Sequence, residues 1–314
     1  MGILSLFLAL ALTQEAQTWQ EGLTPTDVLS MGRVTVAARL SAEIGSGSLQ
    51  NDAVNFDENG DISRFDLLLE GAVGIGMNFE IEATLPVTFV EKLEISSGGI
   101  DFKQESKGLG DLSLGLNWAA LRDGKDSVQL MFGAFVLLPT GDDERGQPEA
   151  SVNGVQTLVG EEGGMGTGAF QFGFQAGISK RLSVLEPYLL FRYLVGGHGD
   201  DGDIKTDFPD VATLIVGSEF HFGDALTIDG RLIVNLTSEE VREDDTGGET
   251  TTASYSQIAL QGRVYLSLGP TVTLIAGVGA YNNSDHELIQ EANLELNDVW
   301  VFTAELGLQI ALGK

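Results

Sequence analysis

A chain of 314 residues accommodates two ordinary domains or one large all-β barrel. A formal charge of −29 excludes a partner held through phosphate contacts, nucleic acid above all, and 43% hydrophobic content excludes an acidic disordered chain. The absence of cysteine removes disulfides, thiolate nucleophiles and cysteine-based zinc sites.

The N-terminus opens on an apolar run from Gly2 to Leu12, too short for a spanning helix, followed by Thr13-Gln14-Glu15-Ala16. Residues 1–16 are expected to be an export signal, cleaved after Ala11 or Ala16, although no Lys or Arg precedes the run. Residues 17–31 lack periodicity and read as a periplasmic lead-in, and 32–314 read as one barrel. No later segment approaches the ~18 consecutive apolar residues of a membrane helix, so a membrane location requires a closed barrel.

From Arg33 the pattern is period two, which marks strands with one apolar side. In the first strand, Arg33–Ile44, Val34, Val36, Ala38 and Leu40 oppose Arg39 and Glu43. A polar loop is expected through Asp61. The second, Ile62–Ile75, sets Phe65, Leu67 and Leu69 against Arg64, Asp66 and Glu70. The third, Phe79–Glu91, sets Ile81, Ala83 and Leu85 against Glu80 and Glu82. After a loop at 96–107, strands four and five form the hairpin Gly108–Gly141. Leu112, Leu114, Leu116 and Trp118 lie opposite Asp111 and Asn117, with Val128, Leu130, Phe132, Ala134, Val136 and Leu138 continuing the apolar side.

Seven further strands follow, at 166–179, 184–195, 211–222, 226–236, 254–268, 271–281 and 298–312. Long and short connections alternate throughout, which puts the long acidic loops at one end and tight turns with both termini at the other. The pattern predicts a 12-stranded antiparallel up-and-down transmembrane β-barrel with external loops and short periplasmic turns.

The polar faces carry Arg33, Arg39, Arg64, Asp66, Glu70, Glu80, Glu82, Asp111, Glu186, Arg192, Arg231 and Arg263. Twelve strands enclose a space too wide to fill with apolar side chains, since about eight already give a just-filled interior. Charges are therefore expected inside, lining a wet lumen as solute-path candidates, with the Leu, Val, Phe and Ala belt in lipid. Phe79, Trp118, Phe220 and Phe222 would form an inner aromatic girdle, and Phe89, Tyr281 and Trp300 an outer one. Met131, Phe135 and Leu137 break the rule, being apolar on the lumen side; they line an apolar path or pack on a plug.

Two ligand patterns arise in the loops. Asp57-x-Asn59-x-Asp61 has the spacing of half a Ca²⁺ loop without its Gly or distal Glu, and Asp200, Asp201 and Asp203 form a dense carboxylate run. The alternative to both is a solvated, self-repelling surface. The glycine-rich 163–168 lacks the Lys and helix of a phosphate loop, so no cofactor is implied. Asn283-Ser284-Asp285-His286 holds the residue types of a nucleophile–base pair, but within one loop rather than on opposed strands.

Gly108-Leu109-Gly110-Asp111 and, one hairpin later, Leu138-Pro139-Thr140-Gly141 resemble the bacterial outer-membrane transporter family named for the meta-pathway of phenol degradation. The resemblance covers the barrel from about Met31 to Lys314, and departs from many such barrels in ending Leu312-Gly313-Lys314 without a terminal aromatic. It implies an outer-membrane β-barrel that passes small hydrophobic or aromatic molecules, with outer-membrane lipid and lipopolysaccharide as surroundings. The alternatives are a structural or surface barrel whose acidic loops bind divalent cations or lipopolysaccharide, and, third, an outer-membrane hydrolase.

Overall fold

The computed structural model describes residues 28–51, 56–97, 100–121, 128–141, 149–152, 155–158, 163–201, 204–244, 248–289 and 294–313. The expected export signal and most of the lead-in lie outside these. Twelve strands make the wall: β1 Val34–Asn51, β2 Phe56–Gly76, β3 Phe79–Ser97, β4 Ile100–Gly110 continued by Leu112–Leu121, β5 Val128–Leu138 and β6 Gln171–Lys180. Then come β7 Leu185–Val195, β8 Val211–Phe222, β9 Leu226–Thr237, β10 Tyr255–Ser267, β11 Val272–Asn283 and β12 Leu294–Leu312. Each pairs antiparallel with its sequence neighbours, and β1 closes on β12 in the register Val34↔Leu312 to Ser46↔Trp300. Closure leaves no wall strand with an unpaired edge, which a sheet in lipid requires.

The alternation of side chains decides inside from outside. Along β6, Gln171, Gln175 and Ser179 are buried while Phe172, Phe174 and Ile178 are exposed. On β1, Arg39 and Glu43 are buried while Val36, Leu40 and Ile44 are exposed. An apolar surface of this extent is tolerated only against hydrocarbon. Aromatic side chains gather toward its rims. Phe79 stacks on Trp118 at 6.1 Å near the periplasmic turns, and Phe65 on Phe89 at 5.4 Å farther out. Tyr281 departs from the expected outer girdle. It is buried on the lumen side, its hydroxyl donating to Glu43 at 3.3 Å, because its place in β11 has the lumen parity.

The loop expected at 45–61 is instead paired strand, from Gly45↔Ile62 to Asn51↔Phe56, and the one at 96–107 falls largely within β3 and β4. β1, β2, β3 and β12 run to 18, 21, 19 and 19 residues, whereas ~9–11 cross the membrane at a tilt. The surplus exceeds what a crossing needs, and since neither of its faces has to meet lipid, no apolar alternation is required. Lys92, Glu105 and Lys103 pair there across β3 and β4, both contacts at 2.8 Å. Hydrogen bonds from Lys103 and then Lys92 hold the Glu105 carboxyl below its ordinary range. Short loop strands at 149–152 and 163–165 pair with the outer part of β4. A separate four-stranded sheet joins 198–201, 204–207, 240–244 and 249–252.

Candidate functional site

The lumen has two unlike walls. On one, β2, β1, β12 and β10 bring together Glu70, Arg39, Glu305 and Arg263. Arg39 grips Glu70 through two bonds of 2.7 and 2.9 Å and approaches Glu305 at 3.6 Å, while Arg263 holds the same Glu305 with a bidentate contact. Farther out, Arg64 binds Asp66 at 2.6 Å and lies 3.9 Å from Glu91, and the Thr88 hydroxyl donates to Asp66 at 2.7 Å. All these side chains are nearly excluded from solvent. A buried charge is tolerated only when paired, and here Arg39 and Arg64 meet carboxylates on their own or adjacent strands while Arg263 reaches Glu305 across Gly277 of β11. A cavity of about 130 Å³ runs beside this ladder, with Asn235, Gln257 and Tyr281 also on its walls.

The facing wall is apolar along much of its length. Ala119, Met131, Leu190 and Ile215 cluster with Tyr188 toward the periplasmic end, and Ile233 packs against them. Phe135, Leu194 and Val211 form a second cluster toward the outside, joined by Leu137. Glycine makes the broad side chains fit. Gly173, the β6 residue opposite Phe135, leaves the space that the Phe135 ring fills, and Gly217 likewise receives Tyr188. Arg192 stands on this same wall, its guanidinium 4.9 Å from the centre of the Phe135 ring.

Val28 enters the periplasmic end of this lumen and packs in the inner apolar cluster. The Leu29 backbone N–H donates to Glu80 Oε2 at 2.7 Å. The chain passes so close over β2 that only glycine fits at Gly74, which in turn exchanges backbone hydrogen bonds with Gly32 and Arg33. This residue pair of tie and plug carries no motif that the sequence reveals.

The remaining expected path residues fall in distinct places. Glu82 joins a polar network in which Asn117 donates to it at 3.0 Å and Gln175 donates to Asn117 at 2.6 Å. Arg231 pairs with Asp229 at 2.6 Å, and the Tyr188 hydroxyl donates to the same aspartate at 2.8 Å. Arg33 precedes β1 and is exposed at the periplasmic mouth, outside the lumen, because the strand parity that points it inward continues past the end of the wall. Asp111 interrupts β4 and binds a corner instead of facing open lumen: it accepts from the Gly141 N–H at 3.1 Å and from Thr167 N–H and Oγ1 at 2.9 and 2.5 Å. Glu186 lies near the periplasmic end, with Glu219 and His221, and accepts from Ser179 at 3.0 Å.

The side chains of Asp57, Asn59, Asp200 and Asp201, and Asp203 altogether, lie outside the described residues; Asp61 is exposed. The His286 side chain is also outside them. Ser284 and Asp285 are engaged with backbone, Ser284 Oγ accepting from Ser256 N–H at 2.9 Å and Asp285 from Asp298 N–H at 3.0 Å.

A closed twelve-stranded antiparallel barrel with a lipid-facing belt and a charged interior is a β-barrel of the bacterial outer membrane. No protein-family model matches the chain, and no curated protein matches it. Among solved structures it is similar to the COG4313 outer membrane channel from Pseudomonas putida F1, at 13% identity and TM-score 0.57, over 92% of this chain and 100% of that one. It is also similar to the transport unit of the autotransporter AIDA-I from Escherichia coli, at 11% identity and TM-score 0.55, over 98% of each chain. At these identities the likeness establishes the fold.

Proposed function

We propose that the chain is an outer-membrane channel through which small hydrophobic or aromatic molecules pass passively. The observation that carries this reading is the apolar wall of Met131, Phe135, Leu190, Leu194, Val211 and Ile215 inside an otherwise charged lumen. These side chains pack together nearly excluded from solvent, so the strip favours a nonpolar solute where they part to admit it, at about 25 cal/mol for each Å² the solute removes from water. The opposing arginines spend their charge on Glu70, Asp66, Glu91, Asp229 and Glu305 and so exert little net pull on an ionic solute. The Gly108–Gly141 resemblance supports the same reading, and one of the two similar structures is itself an outer membrane channel.

The test is flux in proteoliposomes of toluene-sized aromatics and, separately, of sugars of similar size. The expected result is aromatic uptake above protein-free vesicles, reduced several-fold by Phe135→Asp. Equal uptake with and without protein, or uptake indifferent to Phe135→Asp in a folded barrel, would overturn the proposal.

A further inference from the structure

At the outer end of β6, Gln171 opens the lumen face of the strand and is only 1% exposed. Neither its Oε1 nor its Nε2 makes a hydrogen bond among the described residues. We infer that this amide selects among the small hydrophobic molecules whose passage is proposed above, on which the assignment rests, and favours those that carry a hydroxyl.

The setting of the amide is apolar. Gln171 stands directly opposite Leu137 on β5, and one pleat inward Gly173 pairs with Phe135 on one side and Leu194 on the other. These side chains belong to the outer apolar cluster, so the amide lies on the rim of the strip that a nonpolar solute would follow. The bare backbone of Gly197 packs beside its stem, since a Cβ built there would stand 3.1 Å from Gln171 Cγ.

Other lumen amides are engaged. Gln175 donates to Asn117 at 2.6 Å, Asn235 to Gln257 at 2.7 Å, and Gln257 to Asn283 at 3.0 Å. Burying an amide with donor and acceptor both unpaired is costly, and a methionine of similar reach would fill the position without that cost. An ordered water typically makes about three hydrogen bonds, and the side chains of Leu137, Phe135 and Leu194 supply none.

The amide's chemistry sets the class of ligand. Oε1 accepts and Nε2 donates, so a hydroxyl, which does both at once, satisfies the pair. An ether or a carboxylate only accepts, and a hydrocarbon does neither. Where the outer cluster parts to admit a solute, the apolar body meets Phe135 and Leu194 while the hydroxyl meets Gln171. A solute lacking the hydroxyl leaves the amide unpaired, and that difference discriminates between them.

The experiment compares benzyl alcohol with ethylbenzene, which match in size and differ in the hydroxyl, in proteoliposomes of the full barrel. The ratio of protein-dependent alcohol uptake to ethylbenzene uptake should fall on the order of fivefold in Gln171→Met, the worth of one neutral hydrogen bond. Ethylbenzene uptake itself should be unchanged in the variant. In the folded wild-type barrel in detergent, the nitrogen-15 side-chain signal of Gln171, assigned by its loss in Gln171→Met, should move with benzyl alcohol and not with ethylbenzene. Heat-modifiable gel mobility shows that the variant is folded. An unchanged uptake ratio in folded Gln171→Met, or a side-chain signal indifferent to benzyl alcohol, overturns the assignment, while ethylbenzene uptake keeps the channel standing. Uptake of neither solute above protein-free vesicles overturns the channel, and the assignment with it.

Discussion

The backbone N–H of Leu29 donates to Glu80 Oε2 at 2.7 Å and so ties the segment before β1 to the lumen face of β3. Beside it Val28 is buried in the inner apolar cluster. This short run narrows the periplasmic end, where a carboxylate on the wall secures a backbone group that would otherwise be unpaired away from water. Glu80→Ala combined with Val28→Ser is expected to raise single-channel conductance in planar bilayers several-fold. Conductance equal to wild type would show that residues 28–30 do not limit the opening.

Glu305 stands between two arginines that belong to different strands. Removing it leaves Arg39 dependent on Glu70 and Arg263 without its bidentate partner in the lumen wall. Loss of one member of a buried ionic network costs roughly 3–5 kcal/mol. Glu305→Ala should lower the urea stability of the detergent-folded barrel by about that amount, and Glu305→Gln by less. A change below about 0.5 kcal/mol would mean that lumen water replaces the carboxylate.

The corner at Asp111 makes a different prediction. Three hydrogen bonds from Gly141 and Thr167 converge on one carboxylate, and the Leu112 N–H donates to Thr140 Oγ1 at 2.9 Å. Gly141 packs against Gly166 and the Gly110 backbone so closely that a side chain at Gly141 would collide with both. Asp111→Ala strands these donors and is expected to cost about 1–3 kcal/mol. Gly141→Val should be at least as damaging. Both are read from urea unfolding, and a neutral Asp111→Ala would assign the corner's strength to backbone packing alone.

Glu105, above the membrane, gives a pH-dependent contribution. Its folded carboxyl titrates below 4.5 because Lys103 and Lys92 favour the ionised form. The associated stabilisation is present above the unfolded value and is lost as pH falls through the folded one. Because these side chains are about one-third exposed, the effect is small and salt-sensitive. Carbon-13 titration of Glu105 should show a depressed midpoint that returns toward the ordinary value in Lys103→Ala or in molar salt. A midpoint unmoved by Lys103→Ala would assign the depression elsewhere.

Much of the wall is legible in the chain because strand alternation is local. Leu114, Leu116 and Trp118 face outward and Asp111 and Asn117 inward, as period two requires. The outer extensions of β1 to β4 are illegible for the complementary reason. Above the bilayer no face is forced to be apolar, so Gly45-Ser46-Gly47-Ser48 reads as loop although it pairs with β2 and β12. For Tyr281, aromatic identity near a strand end suggests a girdle, while parity sets the side and turns it into the lumen. The Glu186, Glu219 and His221 grouping draws on two strands, and one row of neighbours exists only once their register is known.

The sequence alone determined the number of crossings, the lipid-facing side of each strand and the end that bears the long loops. These follow from period-two patterning and connection length, which need no knowledge of partners. Only the tertiary structure decided which lumen charges meet, that Asp111 braces a corner, and that Val28 occupies the inner mouth. Those contacts depend on the closure of β1 on β12 and on a register that carries Arg39 to Glu305 across 266 positions of chain. A one-residue slip would reverse every face, so the belt that must meet lipid selects the register that brings the lumen residues together.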